Sequence, residues 1–310
     1  MTGDVLERIV EAALETELRS SRRPAAGSVA DTVLLDLADE PTQAVCKRGG
    51  RNVWTGDVIE PLVLELVGSE TDLPVPAVLA SGSLEGRSLE RDSAGGLDRW
   101  ALYEFLPGEN PGLRYRGLEP TVRRRLVREA GELLGRLHAT PSLAFDHVGG
   151  LARDGATLRL CEPNGWHAID LQPAIERLPV PLAGDPDCRP VLTHGDYQPS
   201  NLLTAATGEI TGVLDWGNAH VTHAEYALAR AEARFVDLHA AHFDRGERDH
   251  LRNAFRTGYT RHARVDPGID RRLPIYKLLW IAQSGANYGR IVRDARGRRQ
   301  LWRQCRRLLE

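Results

Sequence analysis

The residues of this chain best suited to do chemistry lie between Val191 and Arg230, in VLTHGDYQPSNLLTAATGEITGVLDWGNAHVTHAEYALAR. Val191 and Leu192 read as a short apolar strand that ends at His194-Gly195-Asp196, and Asp196 stands five residues before Asn201. Leu202-Leu203, a turn at Thr207-Gly208 and a second apolar run from Ile210 to Leu214 then lead to Asp215-Trp216-Gly217. Two apolar runs around a glycine turn predict a hairpin. It would carry Asp196, Asn201 and Asp215 to one edge of a small sheet, where two carboxylates and an amide oxygen can face a common point. Hard cations such as magnesium take oxygen ligands of this kind and complete their shell with water and substrate phosphates.

The order H-x-D-x-x-x-x-N, with D-x-G fourteen residues after the Asn, resembles the catalytic core of the protein-kinase-like phosphotransferases. The spelling HGDYQPSNLL and then GVLDWGNA is most similar to the aminoglycoside phosphotransferase family of small-molecule kinases. The resemblance implies that Asp196 receives or orients the acceptor hydroxyl, while Asn201 and Asp215 hold magnesium on the phosphates of ATP. A polar hairpin with two capped turns would account for either motif alone, but not for both in this order and at this spacing.

The elements that must position these groups are legible upstream. In Gln43-Ala44-Val45-Cys46-Lys47 the period-two alternation places Val45 and Lys47 on one strand face. An apolar side chain there can touch adenine while the ammonium reaches the phosphates, as in the V-A-I-K strand of kinases. A helix from about Asp57 to Val67 follows, with Pro61 near its first turn. Resemblance to the family's E-x-x-x-L segment before P-V-P, here Leu73-Pro74-Val75-Pro76, makes Glu60 the carboxylate partner of Lys47, with Glu65 as the competitor. Strands are expected over Thr32 to Leu37, Ala77 to Ser81 and Trp100 to Leu106, with a polar turn over Gly82 to Asp98. In the family the last of these strands leads into the hinge between lobes, where backbone groups near Glu104 and Leu106 would hold the adenine edge. Gly27, in Ala25-Ala26-Gly27-Ser28, stands where protein kinases carry a three-glycine phosphate loop, and its hairpin is expected to be the strand pair after it.

Residues 4–20 read as an amphipathic packing helix, with Val5, Leu6, Ile9, Val10, Ala13 and Leu14 on one stripe. Glu119-Pro120 begins a second helix whose apolar residues recur every three or four places to Leu137, and whose L-G-R-L-H ending resembles the family helix that supports the catalytic loop. His138 there reads as a buried, hydrogen-bonded residue. Residues 140–190 are rich in Pro, Gly and Asp, with one helix expected near His167 to Leu178, and residues 222–310 are helical by pattern. His220 with His223 and His239 with His242 have H-x-x-H spacing but no flanking Glu or Cys at a zinc spacing, so they are read as helix-surface histidines. The eight arginines from Arg290 to Arg307 carry an apolar stripe and read as the solvated face of a packing helix.

One stretch departs from the family. Relatives usually continue with G-D-P-x-Y-D-L-A, and the later Asp anchors the catalytic loop from the start of a helix. This chain has Thr222-His223-Ala224-Glu225-Tyr226-Ala227-Leu228-Ala229, with Ala227 at the anchor position. Glu225 and His223 are the nearest polar substitutes, and the charge of Glu225 suits a helix N-terminus.

Composition narrows the rest. A chain of 310 residues with 42% hydrophobic content can build two domains. A formal charge of -3 gives no reason to expect nucleic acid or a membrane surface as partner. The four cysteines are far apart with no C-x-x-C pair, no apolar run reaches spanning length, and no signal segment opens the chain, so a cytoplasmic protein is expected. Together these readings predict an α+β, bilobal protein-kinase-like fold, with a five-stranded nucleotide-binding lobe over 1–106 and a mostly helical, acceptor-binding lobe over 107–310. The activity implied by the resemblance is ATP- and Mg2+-dependent phosphorylation of a small-molecule hydroxyl. The alternatives are a nucleotide-binding scaffold without turnover and a protein kinase. The latter would ordinarily carry a long activation segment after D-x-G, where Asp215 here runs almost directly into His220 and a helix.

Overall fold

The computed structural model describes residues 3–24, 31–48, 56–83, 99–161 and 189–286, with 299 and 303. The chain divides into two compact units. One is Met1–Gly108 with Ala152–Arg159 and Gly212–Asn218; the other is Glu109–Leu151, Leu160–Thr211 and Ala219–Glu310.

The first unit is built on an antiparallel sheet of β1 (Leu18–Arg22), β2 (Asp31–Leu37), β3 (Gln43–Arg48), β4 (Val78–Ser83) and β5 (Arg99–Glu104), ordered β1-β2-β3-β5-β4. Helix α1 (Gly3–Leu14) lays Leu6, Ile9 and Val10, three and four residues apart, on one face of it. They meet Val33, Leu35 and Leu37 of β2, Ala44 and Cys46 of β3 and Leu102 of β5. Alternation then sends Val45 and Lys47 to the opposite face. Helix α2 (Gly56–Glu70) buries Ile59, Val63 and Val67.

The N-terminal helix is shorter than expected. It stops at Leu14, Glu15 takes a left-handed φ of 53°, and Leu18–Arg22 becomes an edge strand along β2. Four of the five side chains of β1 are exposed, and Ser20 Oγ donates to Asp36 Oδ2 at 2.6 Å. A strand with so little buried surface leaves no apolar alternation to read, and pairing with β2 decides its conformation. The strands that flank Gly27 are therefore β1 and β2, not β2 and β3; Gly27 itself lies outside the described residues.

The second unit contains α3 (Pro120–Ala139), α4 (Ala224–Phe235), α5 (Arg245–Tyr259) and α6 (Ile269–Ala286). Pro120 opens α3, where its missing N–H costs nothing. Helices α3 and α5 cross in close contact: a Cβ on Gly131 would lie 2.0 Å from Phe255 O, and one on Gly258 would lie 1.8 Å from Arg128 O. Only residues without a side chain permit that approach. Within the segment expected to be quiet, β6 (Gly149–Asp154) and β7 (Thr157–Leu160) form a hairpin, which joins β8 (Pro190–Thr193) and β11 (His220–His223) in the order β7-β6-β11-β8. The predicted hairpin is present as β9 (Leu202–Thr204) and β10 (Ile210–Val213), its turn closed at Gly208 with φ 82°. The expected helix near His167 to Leu178 and nearly all of the arginine-rich stretch lie outside the described residues. No helix among the described residues is long and apolar enough to cross a membrane.

Candidate active site

The six polar residues singled out by motif fall into two clusters, one in each unit. In the first, Lys47 Nζ on β3 lies 2.8 Å from Glu60 Oε1 on α2 and 3.3 Å from Asp215 Oδ1. Glu60 is 3% exposed and collects two further donors: the backbone N–H of Trp216 at 3.0 Å and the Tyr103 hydroxyl at 3.3 Å. Three donors on one carboxylate are what a buried charge requires. Glu65 is exposed on α2, so Glu60 is the partner of Lys47. Burial alone would weaken the Lys47 ammonium, but the carboxylates of Glu60 and Asp215 outweigh it and hold its pKa above the ordinary lysine value.

Asp215 takes a φ of 67°, a left-handed conformation that non-glycine residues seldom adopt and that concentrates at functional sites. The turn is held by Trp216, which is buried and whose indole N–H donates to Val213 O at 3.0 Å. The Asp215 side chain keeps 52% exposure. Val45 is half-buried on the strand face of Lys47. At the exit of β5 the Glu104 N–H donates to Ala77 O at 2.9 Å, so a ligand there could not use that amide; Leu106 lies two residues beyond the strand.

The second cluster is organised by Asp196. Gly195, with φ 77°, turns the chain out of β8, and the Asp196 N–H donates to Nδ1 of the buried His194 at 3.2 Å. His194 thus supports the loop. Asn201 Nδ2 donates to Asp196 O at 2.8 Å and to Oδ2 at 3.1 Å, while Gln198 Nε2 donates to Oδ2 at 2.8 Å. Arg234 of α4 places Nη2 2.7 Å from Asp196 Oδ1 and donates from Nη1 to Gln198 Oε1 at 2.9 Å. Its guanidinium lies over the Trp280 ring, 5.4 Å from the centroid. The Arg234–Asp196 contact is an ion pair off hydrogen-bonding angle, and among the described residues Asp196 Oδ1 has no hydrogen-bond partner. From below, the Tyr197 hydroxyl donates to Ala130 O of α3 at 2.9 Å, and His138 of the same helix is buried with Nδ1 2.9 Å from the Tyr259 hydroxyl.

Arg234, Gln198 and Trp280 are absent from the sequence reading. No motif spacing points to them, because Arg234 reaches Asp196 across 38 positions through the packing of α4. The anchor expected of Glu225 is not made. Glu225 is buried and bidentate to Arg272 of α6, with Nε 2.7 Å from Oε2, and Arg272 also meets Asp266 at 2.7 Å. It ties α4 to α6, and Arg234 and Tyr197 hold the loop instead. The histidine pairs also differ from expectation. His220 is buried in β11, and positions three apart on a strand point to opposite faces. His239 is half-buried beside Tyr115, ring centroids 4.9 Å apart, with Arg116 Nε donating to its Nδ1 at 3.2 Å. Burial, and then the nearby Arg116 charge, lower its pKa to about 4.

Oxygen donors of the kind a hard divalent cation takes are present in each unit: Asn201 Oδ1 in the second, its amide nitrogen engaged on Asp196, and the half-exposed Asp215 carboxylate in the first.

The phosphotransferase enzyme family (APH) matches residues 63–272. No curated protein matches the chain. Among solved structures, the amicoumacin kinase hAmiN in complex with AMP-PNP, Ca2+ and Ami aligns with a TM-score of 0.66 at 13% identity, covering 99% of this chain and 93% of that one. The apoenzyme of macrolide 2'-phosphotransferase MphH from Brachybacterium faecium aligns with a TM-score of 0.53 at 17% identity, covering 97% and 98%. The streptomycin-ATP-APH(2")-IIa ternary complex gives 0.55 at 15% identity, covering 94% of each chain. These structural likenesses show a shared fold, the bilobal protein-kinase-like one. With the family match spanning well over half of its length, this chain belongs to the phosphotransferase enzyme family.

Proposed function

We propose that this chain transfers the γ-phosphoryl group of ATP to a hydroxyl of a small molecule. The observation that carries the reading is the Asp196 carboxylate, gripped by Asn201, Gln198 and Arg234 but with Oδ1 lacking a hydrogen-bond partner among the described residues. A buried acceptor oxygen in that state is suited to receive a hydroxyl proton. In the step proposed, the acceptor oxygen bonds to the γ-phosphorus as the bridging P–O bond breaks, ADP leaves, and the hydroxyl proton passes to Asp196. Lys47, fixed by Glu60, aligns the nucleotide phosphates, Val45 lies against the adenine, and backbone beyond β5 near Leu106 holds its edge. By the family resemblance Asn201 and Asp215 would hold magnesium, which would neutralise charge on the phosphates. Most of the acceleration then comes from positioning and charge compensation.

Eight residues separate Asp215 from the start of α4 at Ala224, too few for the activation segment of a protein kinase. Release of ADP that depends on both magnesium and an added small-molecule acceptor tests the proposal. ATP binding with no acceptor-dependent release across aminoglycosides, macrolides, amino alcohols and sugars or their acids would favour the scaffold reading.

A further inference from the structure

Helix α4, which supplies the ion-pair partner of Asp196, carries more positive charge than that pair uses. Arg230 stands one turn before Arg234 on α4, and residues four apart share a helix face. Among the described residues the Arg230 guanidinium has no ion-pair partner, and its Nε is buried without a hydrogen bond; Nε of Arg234 is in the same state. The other carboxylates of this helix are committed elsewhere. Glu225 is bidentate to Arg272, and Glu232 meets Lys277 at 2.5 Å, Arg256 at 3.0 Å and Arg252 at 3.6 Å. Asp196 therefore pairs with Arg234 alone, Arg230 one turn away on the same helix face is matched by no carboxylate among the described residues, and Trp280 adds an aromatic face beside Arg234. The two cations also disfavour each other. Burial weakens the charged form of Arg234, Asp196 opposes that, and Arg230 adds to it.

A guanidinium whose buried donors lack acceptors is destabilising unless a ligand supplies them. The fork geometry of arginine fits a carboxylate or phosphate with two parallel hydrogen bonds. A polycationic acceptor would meet like charge at the same place. We propose that Arg230 and Arg234, with Trp280, form the acceptor subsite, and that the acceptor carries a carboxylate or phosphate beside the hydroxyl to be phosphorylated. This rests on the phosphotransferase reading and narrows it from small-molecule hydroxyls in general to hydroxylated oxyanions.

A matched set of acceptors tests it: glycerol, glycerate, glycerol 3-phosphate and 3-amino-1,2-propanediol, assayed by ADP release with magnesium and ATP. The expected result is that kcat/KM for glycerate or glycerol 3-phosphate exceeds that for glycerol by about tenfold or more, with the amine poorest. Which of the two anions leads separates a carboxylate site from a phosphate site. Arg230→Gln should remove the preference mainly through KM, and Arg230→Lys, which keeps charge without the fork, should fall between. A preference for glycerol or the amine, or an anion preference unchanged in Arg230→Gln of wild-type melting temperature, would overturn the proposal. Binding of glycerate and inorganic phosphate, measured calorimetrically without nucleotide, separates this failure from failure of the phosphotransferase reading. Binding that Arg230→Gln abolishes, with no turnover of any acceptor, upholds the anion subsite and sinks the reaction; absence of binding together with absence of turnover sinks the subsite.

Discussion

The two clusters solve the same problem, holding a charged side chain away from bulk water, in opposite ways. In the first unit a cation is central: Lys47 lies between the carboxylates of Glu60 and Asp215, and Glu60 is itself locked by Tyr103 and the Trp216 backbone. In the second an anion is central: Asp196 lies among an arginine and two side-chain amides, with one oxygen short of a hydrogen bond. The Lys47 cluster is saturated and suits a constant task, the gripping of phosphates. The Asp196 cluster is short of one donor, which suits a group whose partner arrives with the substrate. The saturated cluster should therefore fail by losing alignment, and the unsaturated one by losing chemistry.

The substitution that breaks the comparison most sharply is Asp196→Asn. It keeps the shape of the cluster but removes its proton acceptor, and turnover should fall by about 10²- to 10⁴-fold while ATP affinity stays within a few-fold. Turnover at the wild-type rate would mean that Asp196 is not the base. Next come Lys47→Ala and Glu60→Gln, each expected to lower turnover by about 10²-fold or more by releasing the phosphate grip. Glu65→Gln, on the exposed face of α2, should leave the rate nearly unchanged; equal losses from the two Glu changes would contradict the observed pairing. Arg234→Leu sharpens the contrast from the other side. Asp196 keeps its amide donors but loses the cation that orients Oδ1, so kcat should fall by about 10- to 100-fold with the KM for ATP unchanged. A loss confined to the KM for ATP would place Arg234 with the nucleotide instead.

How much of this was legible follows from the range of each interaction. Lys47 is legible through strand alternation, a local pattern, whereas Glu60, 13 residues on, is separated from Glu65 only by resemblance to the family's E-x-x-x-L segment. The positions of the four strands beyond β1, and α3 with its Pro120 start, follow from local patterns. What escaped depends on packing. β1 buries almost nothing and borrows its conformation from β2, and Arg234 reaches Asp196 only because α4 is laid beside the loop. Glu225 shows the converse error. Its place in the first turn of α4 suggested that it would cap the loop, yet an arginine 47 residues later, in α6, takes both its oxygens. Breaking that pair by Glu225→Ala should cost about 3 kcal/mol in denaturant unfolding. Turnover below the transition should change less than twofold; a tenfold loss of rate would return Glu225 to the support of the loop.

The smallest expected effect concerns the helix under the Asp196 loop. His138 is buried, and that burial, followed by the nearby Arg189 charge, lowers its pKa from 6.5 to about 3. Above pH 6.5 the imidazole is neutral in folded and unfolded chains alike, so His138 adds no pH dependence there. Below it the unfolded chain binds a proton that the fold excludes, and stability is lost as pH falls from 6.5 toward 3, at up to about 1.4 kcal/mol per pH unit for one such group. His239, lowered to about 4, acts in the same direction. Replacing His138 by Gln should therefore lower stability at pH 7, where the Tyr259 contact is altered, yet flatten the decline between pH 6.5 and 5 by roughly one proton's worth. The slope is the informative quantity, since any core substitution lowers the intercept. Urea unfolding at pH 7, 6 and 5 measures both. A variant whose slope equals that of the parent would show that the fold accepts the His138 proton at its ordinary pKa. The buried support of the Asp196 loop would then have to be open to water, unlike the packing around Lys47.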